Sequence, residues 1–414
     1  MLIQAPKGTS DILPAQSAKW QYLENLFRDI CGRYGMKEIR TPIFEHTELF
    51  VRGVGDTTDV VEKQMYSFDD MGGRNLTLKP EGTSPAARAF IENGIFSEMQ
   101  PTKLFYITPC FRYEKMQKGR YRQFHQMGTE IFGTESPLAD AEVIGIAADL
   151  LATLGMKELE LRINSVGCPE CRAKHREALK AFLADKYDSL CDTCKGRFHK
   201  NPMRILDCKS KECQRLVQGA PMMLDYLCDD CKDHFAEFQA ILKDMGIDFV
   251  VDPGIVRGLD YYTKTAFEFV STREMAQGTV CGGGRYDNLV EEIGGPATPG
   301  VGFGMGIERL LLLLEQEGIA LPDYPGVDYM IITMGDEARS YGIGLAGKLR
   351  RAGKSVQMDM MGRNFKNQFK YANRIGAKNA IIIGDDEVKA DAFSVKNMET
   401  GEQISVSAKD IEKL

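Results

Sequence analysis

On a β-strand every second side chain shares a face. That rule sorts the segment Leu104-Phe-Tyr-Ile-Thr-Pro-Cys-Phe-Arg-Tyr-Glu114 and its return through Ile131, which together read as a long β-hairpin. Arg112 and Glu114 end the even row of the first strand, and Arg122, Phe124, Gln126, Gly128 and Glu130 make the even row of the second. One face thus collects two arginines, two carboxylates, an amide, an aromatic ring and a bare glycine. The odd row, with Tyr121, Met127, Thr129 and Ile131, carries no such set. A guanidinium presents a fixed fork to phosphate oxygens, Phe124 offers a stacking face for a base, and Glu130 an acceptor for a cation or an N–H. A solvated face stitched by cross-strand ion pairs would explain the charges, but not Phe124 and Gly128 in the same row. The chemistry indicated is that of a nucleotide together with a small charged molecule. The loop Lys115-Met-Gln-Lys-Gly-Arg120 is basic and able to close over phosphates.

Two further constellations add to this. In Gly300-Val-Gly-Phe-Gly-Met-Gly306-Ile-Glu-Arg309, glycine recurs with period two, so one strand face has no side chains and a ligand could lie on the backbone. Close packing of the strand against a helix would use the same glycines. Arg309 follows in the first turn of a helix, within reach of a phosphate. Arg257-Gly-Leu-Asp-Tyr261-Tyr262-Thr263 and Cys281-Gly-Gly-Gly-Arg285-Tyr286-Asp287 form the third group, where paired tyrosines serve a core or a pocket equally well. Gly342-Ile-Gly-Leu-Ala-Gly347-Lys348 imitates a phosphate loop, but Leu349 stands where the hydroxyl that meets the metal is needed. The glycine strand also fails the dinucleotide spacing, so arginines, not a glycine loop, would hold a nucleotide here.

The elements that position these residues follow from hydrophobic periodicity. Residues Ser17 to Tyr34 predict an amphipathic helix with Trp20, Leu23, Phe27 and Ile30 on one stripe, stopped by Gly35. Glu38 to Phe44 predicts a strand whose Pro42 lacks an N–H, hence an edge, a bulge or an interface. Helices are expected from Thr83-Ser84-Pro85 to Gly94, from Ser136-Pro137 to Gly155 and from Ile307 to Gln316, and strands over 159–164, 265–270, 279–284 and 300–306. A plausible linker, 321–326, precedes strand 329–333, a helix to Arg351, strand 355–358, a basic helix over 365–375 and strand 379–383, a βαβαβ pattern. The parse gives a first domain part over 1–166, a Cys-rich helical insertion over 167–252, a second part of the first domain over 253–320 and a small α/β domain over 326–414.

The 414 residues carry a net charge of −7, which argues against a nucleic-acid partner, but its distribution argues for one. Ten Lys and Arg against the single acid Asp359 fall between Arg339 and Lys378, a basic block that predicts RNA contact. No apolar run approaches the length of a membrane span, and the first residues lack the pattern of a signal peptide. The expected compartment is the cytoplasm, where eleven cysteines are thiols or metal ligands. Cys168-Pro-Glu-Cys171 followed by Cys191-Asp-Thr-Cys194 fits a four-cysteine zinc spacing, with Cys208, Cys213, Cys228 and Cys231 as a second set. Reduced thiols packed in a small domain would fit the same spacing. The five histidines show no paired metal spacing, and His125 falls on the odd, packed row.

Taken in this order, the constellations resemble the class II aminoacyl-tRNA synthetases. Pro42 in its strand, Phe111-Arg112-Tyr-Glu114 with the returning strand, and Gly304-Met-Gly306-Ile-Glu-Arg309 match the class signatures. Arg257-Gly-Leu-Asp-Tyr-Tyr262 and Gly282-Gly-Gly-Arg-Tyr286-Asp look like segments peculiar to the histidyl enzymes. The resemblance covers nearly the whole chain. It implies an α+β/α/β multidomain fold: an antiparallel-sheet catalytic domain, the small insertion and a C-terminal anticodon-binding domain. It also implies a homodimer, ATP with Mg²⁺, L-histidine and tRNA(His) as partners, and no membrane. Carried over residue by residue, Arg112 and Arg257 would meet the α-phosphate, Glu114 the adenine amino group, Phe124 the base, and Arg120 and Arg309 the outer phosphates. Glu81, Thr83 and Gln126 would fix the substrate's amino and carboxylate groups. Glu130 and Tyr262 would bracket the imidazole, with Tyr261 and Tyr286 in the pocket. Arg112, Arg257 and Arg309 would be the catalytic cations. The insertion would contact the acceptor stem, while Arg363, Lys366, Lys370 and Arg374 are expected on tRNA phosphates. Zinc is outside what the resemblance implies. The alternative is a synthetase-like regulatory histidine-binding subunit of histidine biosynthesis, but such proteins typically lose the catalytic arginines and the basic tail domain, and both are present here.

Overall fold

The computed structural model describes residues 3–55, 58, 60–255, 259, 261–273 and 278–410. The chain forms two compact units, Met1–Pro322 and Asp323–Leu414. The first is built on an eight-stranded sheet in the order Lys37–Glu38, Thr102–Phe111, Gln123–Phe132, Gly300–Gly306, Thr279–Arg285, Thr263–Ser271, Leu159–Ser165, Val250–Val251. Its six central strands are antiparallel throughout, and only the two short edge strands pair parallel. This is the antiparallel-sheet arrangement that the resemblance implies.

One face of that sheet is the core. The odd residues Met127 and Ile131 and their partners Val301, Phe303 and Met305 are fully buried against Phe27, Leu150 and Leu313. These come from the helices Pro14–Arg33, Pro137–Thr153 and Ile307–Gln316. The first helix starts earlier than its apolar stripe, because Pro14 pre-sets a helical φ at the first turn. Ser136 caps the second, its hydroxyl accepting from Leu138 N at 3.3 Å.

Two local expectations need correction. The strand expected over 38–44 is broken: Lys37–Glu38 joins the large sheet, and Phe44–His46 joins a three-stranded sheet with Asn75–Leu78 and Tyr66–Asp69. Pro42, without a donor for either ladder, lies at the break. The helix Thr83–Glu92 starts before the position that a cap at Ser84 and a first-turn Pro85 imply. Gly82 occupies the cap position, and the Glu81 carboxylate accepts from Thr83 N at 2.6 Å and Ser84 N at 2.8 Å. A side chain one residue further back supplies the anion that the helix N-terminus favours.

The insertion leaves and re-enters between two paired strands. Val166 N donates to Lys264 O at 2.7 Å and Lys264 N to Gly167 O at 3.0 Å, so the Leu159–Ser165 and Thr263–Ser271 pairing continues to the root of the insertion. The insertion itself is helical, with Pro169–Ala184, Asp192–Lys200, Lys211–Leu216 and Asp229–Asp244.

The second unit has the order Val356–Met358, Tyr329–Thr333, Asn379–Ile383, Ala392–Asn397, Gln403–Ser407. The first three strands are parallel, as the βαβαβ pattern requires, and the last two are antiparallel additions that the pattern did not reveal. The apparent phosphate loop at 342–348 lies inside helix Asp336–Arg351, with Leu345 and Leu349 buried.

Arg285 and Asp140 are both fully buried. The Arg285 Nε lies 3.1 Å from Asp140 Oδ1, its Nη2 meets Oδ2, and its remaining N–H groups reach the carbonyls of Thr134 and Ser136. Burial opposes ionisation of Asp140, but Arg285 and His234 beside it hold the carboxyl below the usual range. Removing one partner strands a desolvated charge. Asp140→Ala should therefore cost about 3–5 kcal/mol in denaturant-induced unfolding; a loss below about 1 kcal/mol would show the pair to be dispensable.

Candidate active site

The even face of the sheet opens into a cavity of about 280 Å³. Arg112, Glu114, Arg120, Phe124, Gln126 and Arg309 line it, with Glu81, Thr83, Tyr261 and Tyr262. Three arginines from three elements converge here. Arg112 is fixed by donating from Nε to Pro80 O at 2.8 Å, and its guanidinium lies over the Phe124 ring at 5.3 Å. Arg120 sits 3.0 Å from Glu114, across the small bridge between Gln117 and Arg120 that shapes the loop. Arg309 donates to Thr279 O at 2.6 Å. Burial first, and then Arg120 and Arg112 against Glu114, bring its guanidinium below the ordinary range. Such a cluster of cations awaits an anion with several oxygens.

The parity rule needs one correction. Arg122 shares the even row but turns out of the cavity, its stem packed on Gly8 and its guanidinium 3.7 Å above the Tyr113 ring. It stands just before the strand Gln123–Phe132, and its N–H donates to Gly8 O at 2.8 Å, so the segment around Gly8 rather than the pleat sets its direction. Glu81, in the cavity wall, spends its carboxylate on the N-terminus of the helix Thr83–Glu92, while Gln126 Oε1 accepts from Gly82 N at 3.0 Å. Two expected polar contacts for a small ligand are thereby held rigidly.

Glu130 and Tyr286 lie one layer behind the lining, both fully buried. Tyr106 Oη donates to Glu130 Oε1 at 3.0 Å, and Tyr286 Oη donates to Oε2. The bare row of Gly300–Gly306 leaves backbone open to a ligand only at its end, where Gly304 and Gly306 line the cavity as the sequence suggests. A Cβ at Gly302 would collide with Glu130, at Gly304 with Gln126, and at Gly300 with Tyr286. Gly300, Gly302 and Gly304 therefore make room for neighbouring side chains. Gly128 does the same for Tyr106, directly opposite it in the register. Tyr106 was missed as a functional residue although its even number places it in the right row. Glu308, another lining residue, was missed too; it accepts from His125 N at 3.0 Å and pairs with the His125 ring at 2.9 Å. His125 packs edge-on against Trp20 and stays outside the cavity. Arg257 and Asp260 lie outside the described residues.

A second cavity of about 510 Å³ shares Arg112, Glu114 and Arg120 with the first and is closed by Arg197, Arg204, Lys209 and Ser210 of the insertion. The cysteines of the insertion group differently from their order in the sequence. Cys168 and Cys171 meet Cys228 and Cys231, and Cys191 and Cys194 meet Cys208 and Cys213. The expected set of Cys168, Cys171, Cys191 and Cys194 is therefore corrected, because the chain between the first two pairs leads away to a separate lobe.

In the second unit, Lys366, Lys370 and Arg374 are exposed on helix Phe365–Arg374. Arg363 precedes that helix, pairs with Asp359 at 2.5 Å and lies over the Tyr371 ring at 4.5 Å.

Comparison with known proteins gives the following. A family model described as histidyl-tRNA synthetase matches residues 8–310, and one for an anticodon binding domain matches residues 328–414. A histidine–tRNA ligase of Caldanaerobacter subterraneus is 59% identical over 413 residues, covering 100% of this chain and 99% of its own. One from Alkaliphilus oremlandii is 56% identical over 414 residues, covering 100% and 98%. The crystal structure of apo S. aureus histidyl-tRNA synthetase superposes with a TM-score of 0.86 at 41% identity, covering 100% of this chain and 99% of that one.

Burial pushes the Glu130 carboxyl up to about 8, against the hydrogen bonds from Tyr286, Thr83 and Tyr106 that favour its ionised form. Its neighbours are hydroxyls able to donate or accept, so a neutral acid is accommodated. In the unfolded chain the group ionises near pH 4.3. Between these values the folded state holds a proton the unfolded state lacks. This contribution to stability is therefore complete below the unfolded value and is lost as pH rises through the folded one. Glu130→Gln keeps the shape of the neutral acid. Its stability relative to the parent protein should rise by on the order of a few kcal/mol between pH 5 and 9 in thermal unfolding. A difference that stays constant across that range would mean Glu130 is ionised throughout.

Proposed function

The chain belongs to the histidyl-tRNA synthetase family, and from that premise we propose how its residues divide the work. The activity is that of a histidine–tRNA ligase: histidine and ATP give histidyl-adenylate and pyrophosphate, and the histidyl group passes to the 3′ end of tRNA(His). The regulatory reading gives way to this one, because curated ligases match the chain over its full length.

In the proposed mechanism the histidine carboxylate attacks the α-phosphorus in line, with no protein nucleophile. Arg112 and Arg257 carry the charge that builds on the α-phosphate, and Arg120 and Arg309 hold the outer phosphates of a bent ATP. Phe124 stacks on adenine and Glu114 accepts from its amino group. Glu81, Thr83 and Gln126 orient the amino acid. Glu130 and Tyr262 bracket the imidazole, backed by Tyr261 and Tyr286. An imidazole has one nitrogen donor and one acceptor, so a carboxyl and a phenol complement it, and apolar analogues would leave buried polar groups unpaired. The observation that supports this reading is the convergence of three arginines, Gln126 and the Tyr261–Tyr262 pair on one cavity.

Mg²⁺ accompanies ATP in this class. With Glu114 beside Arg120 and Glu308 engaged by His125, the phosphates would supply most of its oxygens, and it would add charge neutralisation. Zinc is the metal we assign to the insertion. For the domains we take 1–166 and 253–320 as the two catalytic parts, 167–252 as the insertion facing the acceptor stem and 326–414 as the anticodon-binding part. We read the chain as a cytoplasmic homodimer; Ile43 and Phe44 beside Pro42, 47% and 52% exposed, supply an apolar surface for the partner. Among the described residues no helix is long and apolar enough to cross a membrane.

Amino-acid-dependent ATP–pyrophosphate exchange across the twenty standard amino acids tests the assignment. Exchange with histidine alone is expected. Exchange with a different amino acid would keep the enzyme class and break the pocket assignment. Arg257→Ala should lower histidine-dependent exchange by about 100-fold or more at unchanged stability, the scale of losing one preorganised charge; near-normal exchange would remove Arg257 from catalysis. Charge removal at Lys366 and Lys370 together should flatten the salt dependence of tRNA binding by about 1.5 in the log–log slope. An unchanged slope would move the tRNA contact elsewhere.

A further inference from the structure

Each C-x-x-C unit of the insertion sits at the start of a helix. Cys168 is the N-cap of Pro169–Ala184, Cys191 of Asp192–Lys200 and Cys228 of Asp229–Asp244. The second cysteine of each unit lies in the first turn, so three helix N-termini direct their positive ends at sulfur and favour thiolate. The eight sulfurs collect into two groups of four, each with all members within 4.8 Å of one another. Four ligands around one ion at a Zn–S distance of about 2.3 Å stand about 3.8 Å apart. Cys168 Sγ lies 3.5 Å from Cys171 Sγ and 3.9 Å from Cys228 Sγ, and Cys191 Sγ lies 3.9 Å from Cys208 Sγ. All eight cysteines are free of disulfides, and these spacings are far beyond an S–S bond of about 2.05 Å. Backbone donors support both groups: Cys228 N points at Cys171 Sγ at 3.1 Å and Cys191 N at Cys213 Sγ at 3.4 Å. Such N–H groups orient thiolates and offset their charge.

We propose that the insertion holds two zinc ions in nested tetrathiolate sites, one made by Cys168, Cys171, Cys228 and Cys231 and the other by Cys191, Cys194, Cys208 and Cys213. This deepens the zinc assignment above and rests on it. The outer site clasps the two ends of the insertion, joining its first helix to its last. The inner site closes a separate lobe whose own apolar cluster is small, built on Leu179, Leu183, Leu190 and Ile205. A core of that size gains most from a metal staple. Both sites are closed, with four protein ligands and no position for water, so they are structural. The inner site also sets the wall of the second cavity, where Cys191 and Cys208 stand with Arg204 and Lys209 facing Arg112 and Arg120.

Protein purified without chelator should contain two zinc ions per chain by elemental analysis. Cys168→Ser with Cys228→Ser should leave one, as should Cys191→Ser with Cys208→Ser, while Cys168→Ser with Cys191→Ser should damage both sites. If the last pair kept one ion and the first pair lost both, the nested pairing would be overturned. Should a variant fail to fold, mild oxidation of the unsubstituted holoprotein gives the same answer. Disulfides mapped by mass spectrometry should stay within each group of four, and a bond from Cys168 or Cys171 to Cys191 or Cys194 would overturn the pairing. One ion in the unsubstituted protein would overturn the two-site proposal and leave zinc standing. No metal, or iron in place of zinc, would overturn the zinc assignment itself.

Discussion

The absence of a side chain at Gly302 governs the rest of the catalytic centre. Glu130 is fully buried on the neighbouring strand, directly opposite Gly302 in the register, and any Cβ there would occupy the place of its carboxyl. Gly304 does the same for Gln126, Gly300 for Tyr286 and Gly128 for Tyr106. The polar interior exists only because bare backbone alternates with large side chains on adjacent strands. Close packing then fixes each group to one position, and the arginines Arg112, Arg120 and Arg309 line the cavity in front of this layer. A methyl group at Gly302 would displace the Glu130 carboxyl, and with it the hydrogen bonds from Tyr106 and Tyr286.

A second constraint joins what the chain order separates. Arg285 follows the insertion, and Asp140, Thr134 and Ser136 precede it. Their contact lies in a fully buried layer on which the strand Thr279–Arg285 and the helix Pro137–Thr153 both depend. Such an ion pair is weak evidence for added stability against an apolar replacement, but it penalises any arrangement that leaves one partner alone. The catalytic sheet therefore closes correctly only when both halves are present.

Much of this was legible beforehand, for identifiable reasons. The strands 300–306, 329–333 and 379–383 follow from unbroken apolar runs or strict alternation, and parity alone separated Met127 and Ile131 from Gln126 and Glu130. Legibility failed where direction depends on something other than the pleat. Arg122 has the right parity but sits at the strand end, where Gly8 and Tyr113 capture it. Glu81 caps a helix from outside it, a relation that residue spacing does not encode. The cysteine pairing was misread because nearest-neighbour spacing ignores a chain that doubles back; Cys168 lies sixty positions from Cys228 and 3.9 Å away. The two antiparallel strands at the end of the second unit were legible but not read: Phe393 and Val395 alternate with polar residues in one, Ile404 and Val406 in the other, with Gly401 between them, whereas the βαβαβ pattern stops at Ile383.

The root of the insertion carries a consequence of its own. Leu159–Ser165 and Thr263–Ser271 pair as the arms of a hairpin down to the contact between Val166 and Lys264. To those two strands the segment between them is one very long turn, but not an independent one: Val250–Val251 returns to the outer edge of the sheet, and Phe235, Phe238 and Leu242 of the helix Asp229–Asp244 join the core of the first unit. Loop-closure entropy grows slowly with length, so the chain between the first and last helices of that turn costs the sheet little, whatever its length. The separable module is thus the lobe between the helices Pro169–Ala184 and Asp229–Asp244, which closes on its own apolar cluster around Leu190, Cys194 and Ile205, while the last helix belongs to the body that carries the sheet.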